Sequence, residues 1–249
     1  MLNYWKADAY RIVRSLSFWV MTLLSIVVYI AGVFMVSGPH YSVDSHGSII
    51  AVVGTMAAIF TGLGIYNTLY SQDIKAGAMR VAIGRGTGRS RIVVAKFIET
   101  IVVTVLAGAV LYCALMYLPL IFGIGTADSL TRITLIVVLQ FALETIMFSS
   151  LASIVSMARQ ESVTATVIYV LLAVGVFDQI LSLVLSTEFV TNLIGDITGY
   201  LPQTLSMTLG SQFSGSAAVS VTSVIVYLGY MVVSLLLSSW VFSKKELDF

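Results

Sequence analysis

Six apolar runs, each long enough to cross a lipid bilayer as an α-helix, are the feature that most constrains this chain. A bilayer with a hydrocarbon core about 30 Å thick requires roughly 20 apolar helical residues to span it. Backbone groups within lipid must hydrogen-bond internally, and these runs are too long and too continuously apolar for the alternating strands of a barrel. The sequence therefore predicts an all-α integral membrane protein, with six transmembrane helices at about residues 17–36, 48–70, 97–122, 132–157, 162–185 and 217–242.

Composition predicts a single transmembrane domain over residues 1–249. Hydrophobic residues make up 58% of the chain and charged residues 10%, and the mean hydropathy is +1.00. The single cysteine, Cys113, lies inside the third run, so an intrachain disulfide is excluded. The first run is as long as a full span and no small-residue cleavage pattern closes it, so we expect no cleaved signal peptide.

The distribution of the 13 Lys and Arg residues predicts the orientation of the chain. All but Arg132 lie on one side of the predicted spans; connection 71–96 is strongly basic, whereas connections 37–47 and 186–216 contain no Lys or Arg. Basic residues stay preferentially on the cytoplasmic side, so we predict a multi-pass protein of the plasma (inner) membrane with both termini cytoplasmic. This two-sided charge pattern argues against nucleic acid as a partner. Tryptophan favours the membrane interface, and all three fall at the predicted inner interface: Trp5, Trp19 and Trp240.

Residues 2–16 have the pattern of an amphipathic helix. Apolar residues that include Trp5 share one face, and Arg11 and Arg14 lie on the opposite face. We expect this interfacial helix to lie along the inner membrane surface, with its basic residues toward anionic lipid headgroups. It is either a simple membrane anchor or a lever on which a cytoplasmic partner acts.

The connection at 71–96 contains the most specific pattern in the sequence. Gly84, Gly86 and Gly88 disfavour helix, and arginines alternate with them. A phosphate-binding loop is excluded, because three residues rather than four separate Gly84 from Gly88 and an Arg replaces the lysine. A short helix, a tight turn and a basic corner are predicted instead, which favours a docking segment made from these residues: Asp73, Lys75, Gly77, Met79, Arg80, Ile83, Gly84, Arg85, Gly88, Arg89 and Arg91.

This connection resembles the cytoplasmic coupling segment of type-2 ABC exporter permeases. The resemblance is specific over Asp73, Gly77, Arg80, Gly84, Arg89 to Arg91 and Lys96. The amphipathic N-terminal segment, the six spans and the apolar-then-basic ending from Trp240 to Leu247 are also similar to that family in layout. The small size, without a large outer domain, resembles the permeases of antibiotic-resistance and lantibiotic-immunity exporters.

The resemblance implies an export machine with two permease subunits, identical or sister chains, and two copies of a separate ABC ATPase. ATP and Mg would be bound by the ATPase, so the chain itself is expected to be neither an enzyme nor a cofactor-binding protein. The segment at 71–96 would rest in a cleft of the ATPase. Met79, Val81 and Ile83 would supply apolar contact, and Arg80, Arg85 and Arg89 would supply charge. The substrate would be hydrophobic or amphiphilic, such as an antimicrobial peptide or a drug.

Two sets of charged residues lie within the predicted spans. Glu144 lies near the middle of the fourth span with Gln140 one turn away on the same face. Glu144 either packs as a protonated, hydrogen-bonded group, or lines a cavity for a cationic or amphiphilic substrate, or belongs to a dimer seam. Lys96 and Glu99 are one turn apart at the inner end of the third span, which predicts a snorkelling lysine beside a carboxylate.

The outer half of the chain offers weaker signals. Asp178 marks the point where the fifth span either meets water or bends into the outer connection, and apolar residues between Phe189 and Leu201 predict a short amphipathic helix before Pro202. That helix is either interfacial or part of a gate. Three glycines of the second span, Gly54, Gly62 and Gly64, permit close helix approach. His40, Asp44 and His46 share an outer connection but do not predict a metal site.

Two other classes of protein remain open. An intramembrane enzyme acting on lipid would need a serine with histidine in the membrane, paired aspartates on facing spans, or an acid-rich metal motif. The sequence places both histidines outside the spans, and its intramembrane acids are single. A scaffold or sensor subunit that does not transport is the third possibility.

Overall fold

The computed structural model describes residues 10–12, 14–36, 43–121, 128–213 and 218–244, and these residues form helices and turns without any strand. The all-helical prediction is therefore confirmed. A π-helical turn at Asn67–Ser71 joins α2 to α3, and a 3₁₀ turn at Thr198–Tyr200 precedes α10. The helices are α1 (Leu16–Val36), α2 (Val43–Tyr66), α3 (Gln72–Lys75), α4 (Ala78–Gly84), α5 (Arg89–Ile121), α6 (Asp128–Arg159), α7 (Ser162–Ala173), α8 (Val176–Leu185), α9 (Glu188–Ile194), α10 (Pro202–Phe213) and α11 (Val221–Lys244).

Within the described ranges, five helical stretches are long and apolar enough to cross a membrane, which indicates a multi-pass membrane protein. The predicted span at 162–185 is divided by the structure into α7 and α8, which are bent by 61° and could together make a sixth crossing. Gly175 lies at this break with a φ of 81°, a conformation that favours glycine. A side chain there would also overlap Gln203. Both the backbone conformation and the available space at the bend therefore favour glycine.

The long helix α6 is the centre of the bundle and packs against α2, α5, α7, α10 and α11. Its buried apolar residues include Val137, Phe141 and Phe148. Small residues on α2 permit the close approach, because a Cβ at Gly54 would come within 2.6 Å of Val137. A Cβ at Gly62 would overlap the hydroxyl of Tyr169, and Gly64 faces α1. The predicted packing role of the three glycines is confirmed.

Hydroxyl groups connect the helices inside this core. Ser25 and Thr61 link α1 to α2 at 2.9 Å, and Ser153 and Ser238 link α6 to α11 at 3.0 Å. Tyr169 on α7 donates to the carbonyl of Ala58 on α2 at 3.0 Å. Such bonds provide polar partners in surroundings that contain little water.

His46 differs from its predicted place. The sequence assigns it to an outer connection, but it lies in the first turn of α2, fully buried, and its Nε2 is 3.0 Å from the hydroxyl of Tyr29 on α1. The helix begins at Val43, before the predicted start at residue 48, and so includes this buried polar side chain. His40 lies outside the described residues. Among the described residues, no cluster of three His, Cys, Asp or Glu could hold a metal.

Candidate functional site at the basic end of the bundle

The predicted docking segment lies where α2 ends and α5 begins; we call this end of the molecule the basic end. Two glycines shape the segment: Gly77, with a φ of 65°, separates α3 from α4, and Gly86, with a φ of 85°, follows α4. Left-handed backbone of this kind favours glycine. The predicted short helix, turn and basic corner are confirmed, although Gly84 is the last residue of the helix rather than its breaker.

Four charged side chains meet beneath this segment, and we call them the ion cluster: Arg11, Asp73, Lys96 and Glu99. The carboxylate of Asp73 is paired with Arg11, and its other oxygen lies 2.5 Å from Nζ of Lys96. Lys96 also donates to Glu99 at 3.1 Å. Asp73 and Lys96 are inaccessible to solvent, and Glu99 is buried. The two cations and two anions balance, and this balance makes the burial tolerable.

The ion cluster corrects two predictions. Lys96 was expected to reach past Glu99 toward water, but it is buried and its nearest carboxylate belongs to Asp73. Arg11 was expected to face lipid headgroups, but its guanidinium turns inward to Asp73. The reason is tertiary, since the turns at the basic end place α3 between the N-terminal segment and α5. The cluster therefore fastens together three parts of the chain that are distant in sequence.

The basic corner is attached to the end of α11 as well. Nη1 of Arg89 donates to the carbonyl of Phe242 at 2.9 Å and to the carbonyl of Ser243 at 3.0 Å. These carbonyls belong to the last turn of α11, where backbone carbonyls have no partner within the helix. A cation is favourable there because the carboxyl end of a helix carries a partial negative charge. Arg89 was predicted to supply charge to a partner. Its position shows that it joins α5 to α11, and its role toward a partner stays a prediction.

The helix α4 exposes only part of the surface predicted for it. Met79, predicted to be a contact residue, is buried with Ala82, and Ile83 packs partly on the core. Val81, in contrast, is 54% exposed. The other predicted docking residues that are exposed lie on α4 or in the segments on either side of it: Lys75, Arg80, Gly84, Arg85, Gly88 and Arg91.

The other predicted basic-end residues lie on the periphery. Arg14 is exposed, with its guanidinium 4.4 Å from the ring centroid of Tyr10. Trp19 and Trp240 are both about half exposed, and Nζ of Lys244 lies 4.2 Å from the centroid of the Trp240 ring. Trp5 and the predicted interfacial helix before residue 10 lie outside the described residues.

A second polar site lies in the interior of the bundle. Nε2 of Gln140 donates to Glu144 at 2.9 Å, and Glu144 is buried, so the prediction that the two share a face is confirmed. The helix α10 packs on this part of α6: a Cβ at Gly210 would lie 3.2 Å from that of Gln140. Glu144 is thus bonded within its own helix rather than to a neighbouring one, and α10 lies beside the pair.

Asp178 explains the position of α10. Its Oδ2 accepts hydrogen bonds from the backbone nitrogens of Gln203 and Thr204, at 2.9 and 3.1 Å, and so caps the start of α10. The segment between α8 and α10 consequently turns back, so that the start of α10 lies beside Asp178 on α8. The sequence predicts that the span either meets water or bends near Asp178, and the structure shows a bend at Gly175. The predicted short helix is seen as α9, but α10 is not predicted. Pro202 at the first helical position was the available signal.

These observations indicate a multi-pass helical membrane protein with an ion cluster at one end and the buried Gln140–Glu144 pair in its interior. The sequence profile of a family described as "Protein of unknown function (DUF2705)" matches residues 52–247. The match covers more than half of the chain, so the chain belongs to this family. It extends from α2 through α11 and includes Asp73, Lys96 and Glu144. A comparison with curated proteins finds none that matches the chain.

Proposed function

We propose that this chain is the permease subunit of an ATP-driven exporter of the ABC type and transmits force from a separate ATPase. The observation that supports this most directly is the combination found at the basic end. A short helix with an exposed apolar residue, Val81, between Arg80 and Arg85 is attached to the bundle through buried charges. In this proposal the basic end is cytoplasmic, as the charge distribution predicts.

The attachment suits a mechanical role. Displacement of α4 would pull on α3 and therefore on Asp73, which is paired with Arg11 and with Lys96 of α5. Separating a buried ion pair costs about 3–5 kcal/mol, so the paired elements would move together. Arg89 extends the same connection to α11.

The small exposed area of α4 requires further contacts for a stable complex. Arg91 lies beside α4 and is exposed, so it extends the surface available to an acidic cleft of the ATPase. Two copies of the ATPase would bind two permease subunits, identical or sister chains, in the plasma membrane. ATP and Mg would be held by the ATPase, and this chain would need no cofactor.

The interior polar site supports a substrate class. A carboxyl group inside a bundle is costly and marks a pathway or a partner site. Glu144 with Gln140 suits the cationic group of an amphiphilic peptide or drug, provided that transport moves α10 away from α6. Replacing Glu144 with Gln should change the selectivity between cationic and neutral amphiphiles in an export or resistance assay. Equal export of every substrate by both forms would leave Glu144 with a packing role.

Purification of the full-length chain from its native membranes tests the main proposal. Mass spectrometry should identify an ABC ATPase in the complex, and Val81→Asp should remove it while the chain stays folded. Ser186→Asp makes the same charge change at an exposed site in the outer connection and should retain the ATPase. A wild-type chain that purifies without an ATPase, or a Val81→Asp chain that retains it fully, would contradict the proposal.

A further inference from the structure

A polar cleft at the basic end lies apart from α4 and the ion cluster. It opens between α1 and α7, above the π-helical turn at the end of α2, and the empty space in it and at its open mouth is about 720 Å³. Its lining is mainly hydroxyl and amide groups with one cation and two valines: Ser17, Asn67, Ser71, Gln72, Lys75, Ser162, Val163, Thr166 and Val167. Its position on the surface between two helices makes it accessible from the side of the bundle.

The floor of the cleft is held rigid by its own hydrogen bonds. Oδ1 of Asn67 accepts from Ser71 at 3.1 Å and from Thr166 at 2.9 Å. These bonds fix the side-chain amide and leave its NH₂ group, which within the described part of the chain has no partner. The π-helical turn that carries Asn67 and Ser71 is an uncommon backbone form, often found at functional sites.

The rim of the cleft carries the positive charge. Lys75 is exposed and forms no ion pair with any residue that the structure describes. The nearby acid Asp73 is engaged by Arg11 and Lys96 and therefore does not neutralise Lys75. An ammonium group, an amide NH₂ and the hydroxyls of Ser17 and Ser162 together are suited to the oxygens of a phosphate ester.

The walls of the cleft continue as apolar surface away from the basic end. Val163 and Val167 are one turn apart on α7, and they are 69% and 50% exposed. On α1, Val20 and Leu24 follow Ser17 at helical spacing and are also exposed. If a molecule placed a phosphate group in the cleft, the rest of it could therefore lie between the apolar surfaces of α1 and α7. A free phosphate ion would not use this surface.

We propose that this cleft binds the headgroup of an anionic phospholipid, with its acyl chains lying between α1 and α7. Lys75 pairs with the phosphate, and the amide NH₂ of Asn67 and the hydroxyls of Ser17 and Ser162 donate to its oxygens. The Ser71 and Thr166 hydroxyls hold the Asn67 amide in place, and the apolar walls contact the chains. This site does not depend on the proposed ATPase. A Val81→Asp chain should bind the lipid as the wild type does, so failure of one proposal leaves the other standing.

Native mass spectrometry of the full-length chain, exchanged into equal amounts of phosphatidylglycerol and phosphatidylcholine, tests the headgroup. The wild type should retain phosphatidylglycerol preferentially, and Lys75→Gln should lower that retention about fivefold. Lys244→Gln removes the same charge at the same end, outside the cleft, and should retain the lipid. Lys75→Arg keeps the charge and should also retain it. Equal binding of both lipids, or equal losses in Lys75→Gln and Lys244→Gln, would overturn the site.

A phosphatidylglycerol with a photoreactive acyl chain tests the location. Cross-links should map to α7 near Val167 and to α1 near Val20, and excess inorganic phosphate should leave them unchanged. Labelling spread evenly over the apolar surface would contradict the proposal, as would full competition by inorganic phosphate, which would show a free-anion site. A Thr166→Val chain provides a second test without any change of charge, and it should also lose cross-linking at both positions.

Discussion

A carboxylate oxygen of Asp73 lies 2.5 Å from the ammonium group of Lys96, and neither side chain is accessible to solvent. The two residues come from different helices: Asp73 lies in α3, which precedes the partly exposed helix α4 in the chain, and Lys96 lies in α5, which follows it. Any force on α4 is therefore applied between two points that a buried ion pair holds together. Asp73 is also paired with Arg11, so the same carboxylate links the N-terminal segment to α3 and α5.

Removal of this carboxylate should be costly. Asp73→Asn leaves the buried Lys96 with Glu99 as its remaining carboxylate in the ion cluster and removes the contact between Asp73 and the partly exposed Arg11. We expect a loss of about 3 kcal/mol in unfolding free energy. Thermal unfolding of the purified chain in detergent measures the effect. Glu161→Gln is the matched control, because the Arg159–Glu161 pair is exposed and 4.0 Å apart, and should cost less than about 0.5 kcal/mol. If both changes lowered the unfolding free energy equally, burial of the ion cluster would not contribute to the stability of the chain.

The bond from Arg89 to α11 predicts a local effect. Arg89→Gln removes a charged donor from two carbonyls, and the last turn of α11 should exchange its amide hydrogens about tenfold faster. Hydrogen exchange followed by mass spectrometry measures this. Arg85→Gln changes an exposed arginine four residues away and should leave exchange in α11 unaltered. Unchanged exchange in the Arg89 variant would mean that α11 is held by other contacts.

The contact between α10 and α6 depends on Gly210. Its Cα faces the backbone of Gln140, so Gly210→Leu should push α10 away and cost about 2 kcal/mol or more. The amide hydrogens of α10 should also exchange faster in the Gly210→Leu chain than in the wild type. Gly229 on α11 has open space around it, and Gly229→Ala should be neutral or stabilising by up to about 1 kcal/mol. Normal protection of α10 in the Gly210→Leu chain would argue against tight packing at Gln140.

The approach of α2 to α7 at Gly62 can be tested by a double-mutant cycle. Gly62→Ala places a methyl group against the Tyr169 hydroxyl, and should cost about 2 kcal/mol. Tyr169→Phe removes that hydroxyl and its bond to Ala58, at a cost of about 1 kcal/mol. The double variant should be more stable than the sum predicts, by about 1 kcal/mol, because the clash with the hydroxyl is gone while the contact of the methyl group with Thr145 remains. Strict additivity in thermal unfolding would contradict the contact.

Much of the fold follows from features that need no tertiary information. The apolar runs predict the helices because backbone groups without water have to bond within a helix. The glycines at 84–88 predict a turn since they destabilise helix locally, and Gly54 and Gly62 predict close packing because they lack side chains. Gln140 and Glu144 could be placed on one face from helical spacing alone.

Tertiary structure decided where the charged groups go. Lys96 has Glu99 as its neighbour in sequence, but its closest partner is Asp73. No local pattern could reveal this, because the two meet only after α4 and its flanking turns have folded between them. The same holds for Arg89 on α11, and for α10, whose start is capped by Asp178 from a different helix. Helices follow from local hydrogen bonding and hydropathy, whereas ion pairs and caps between helices require the three-dimensional arrangement that brings distant segments together.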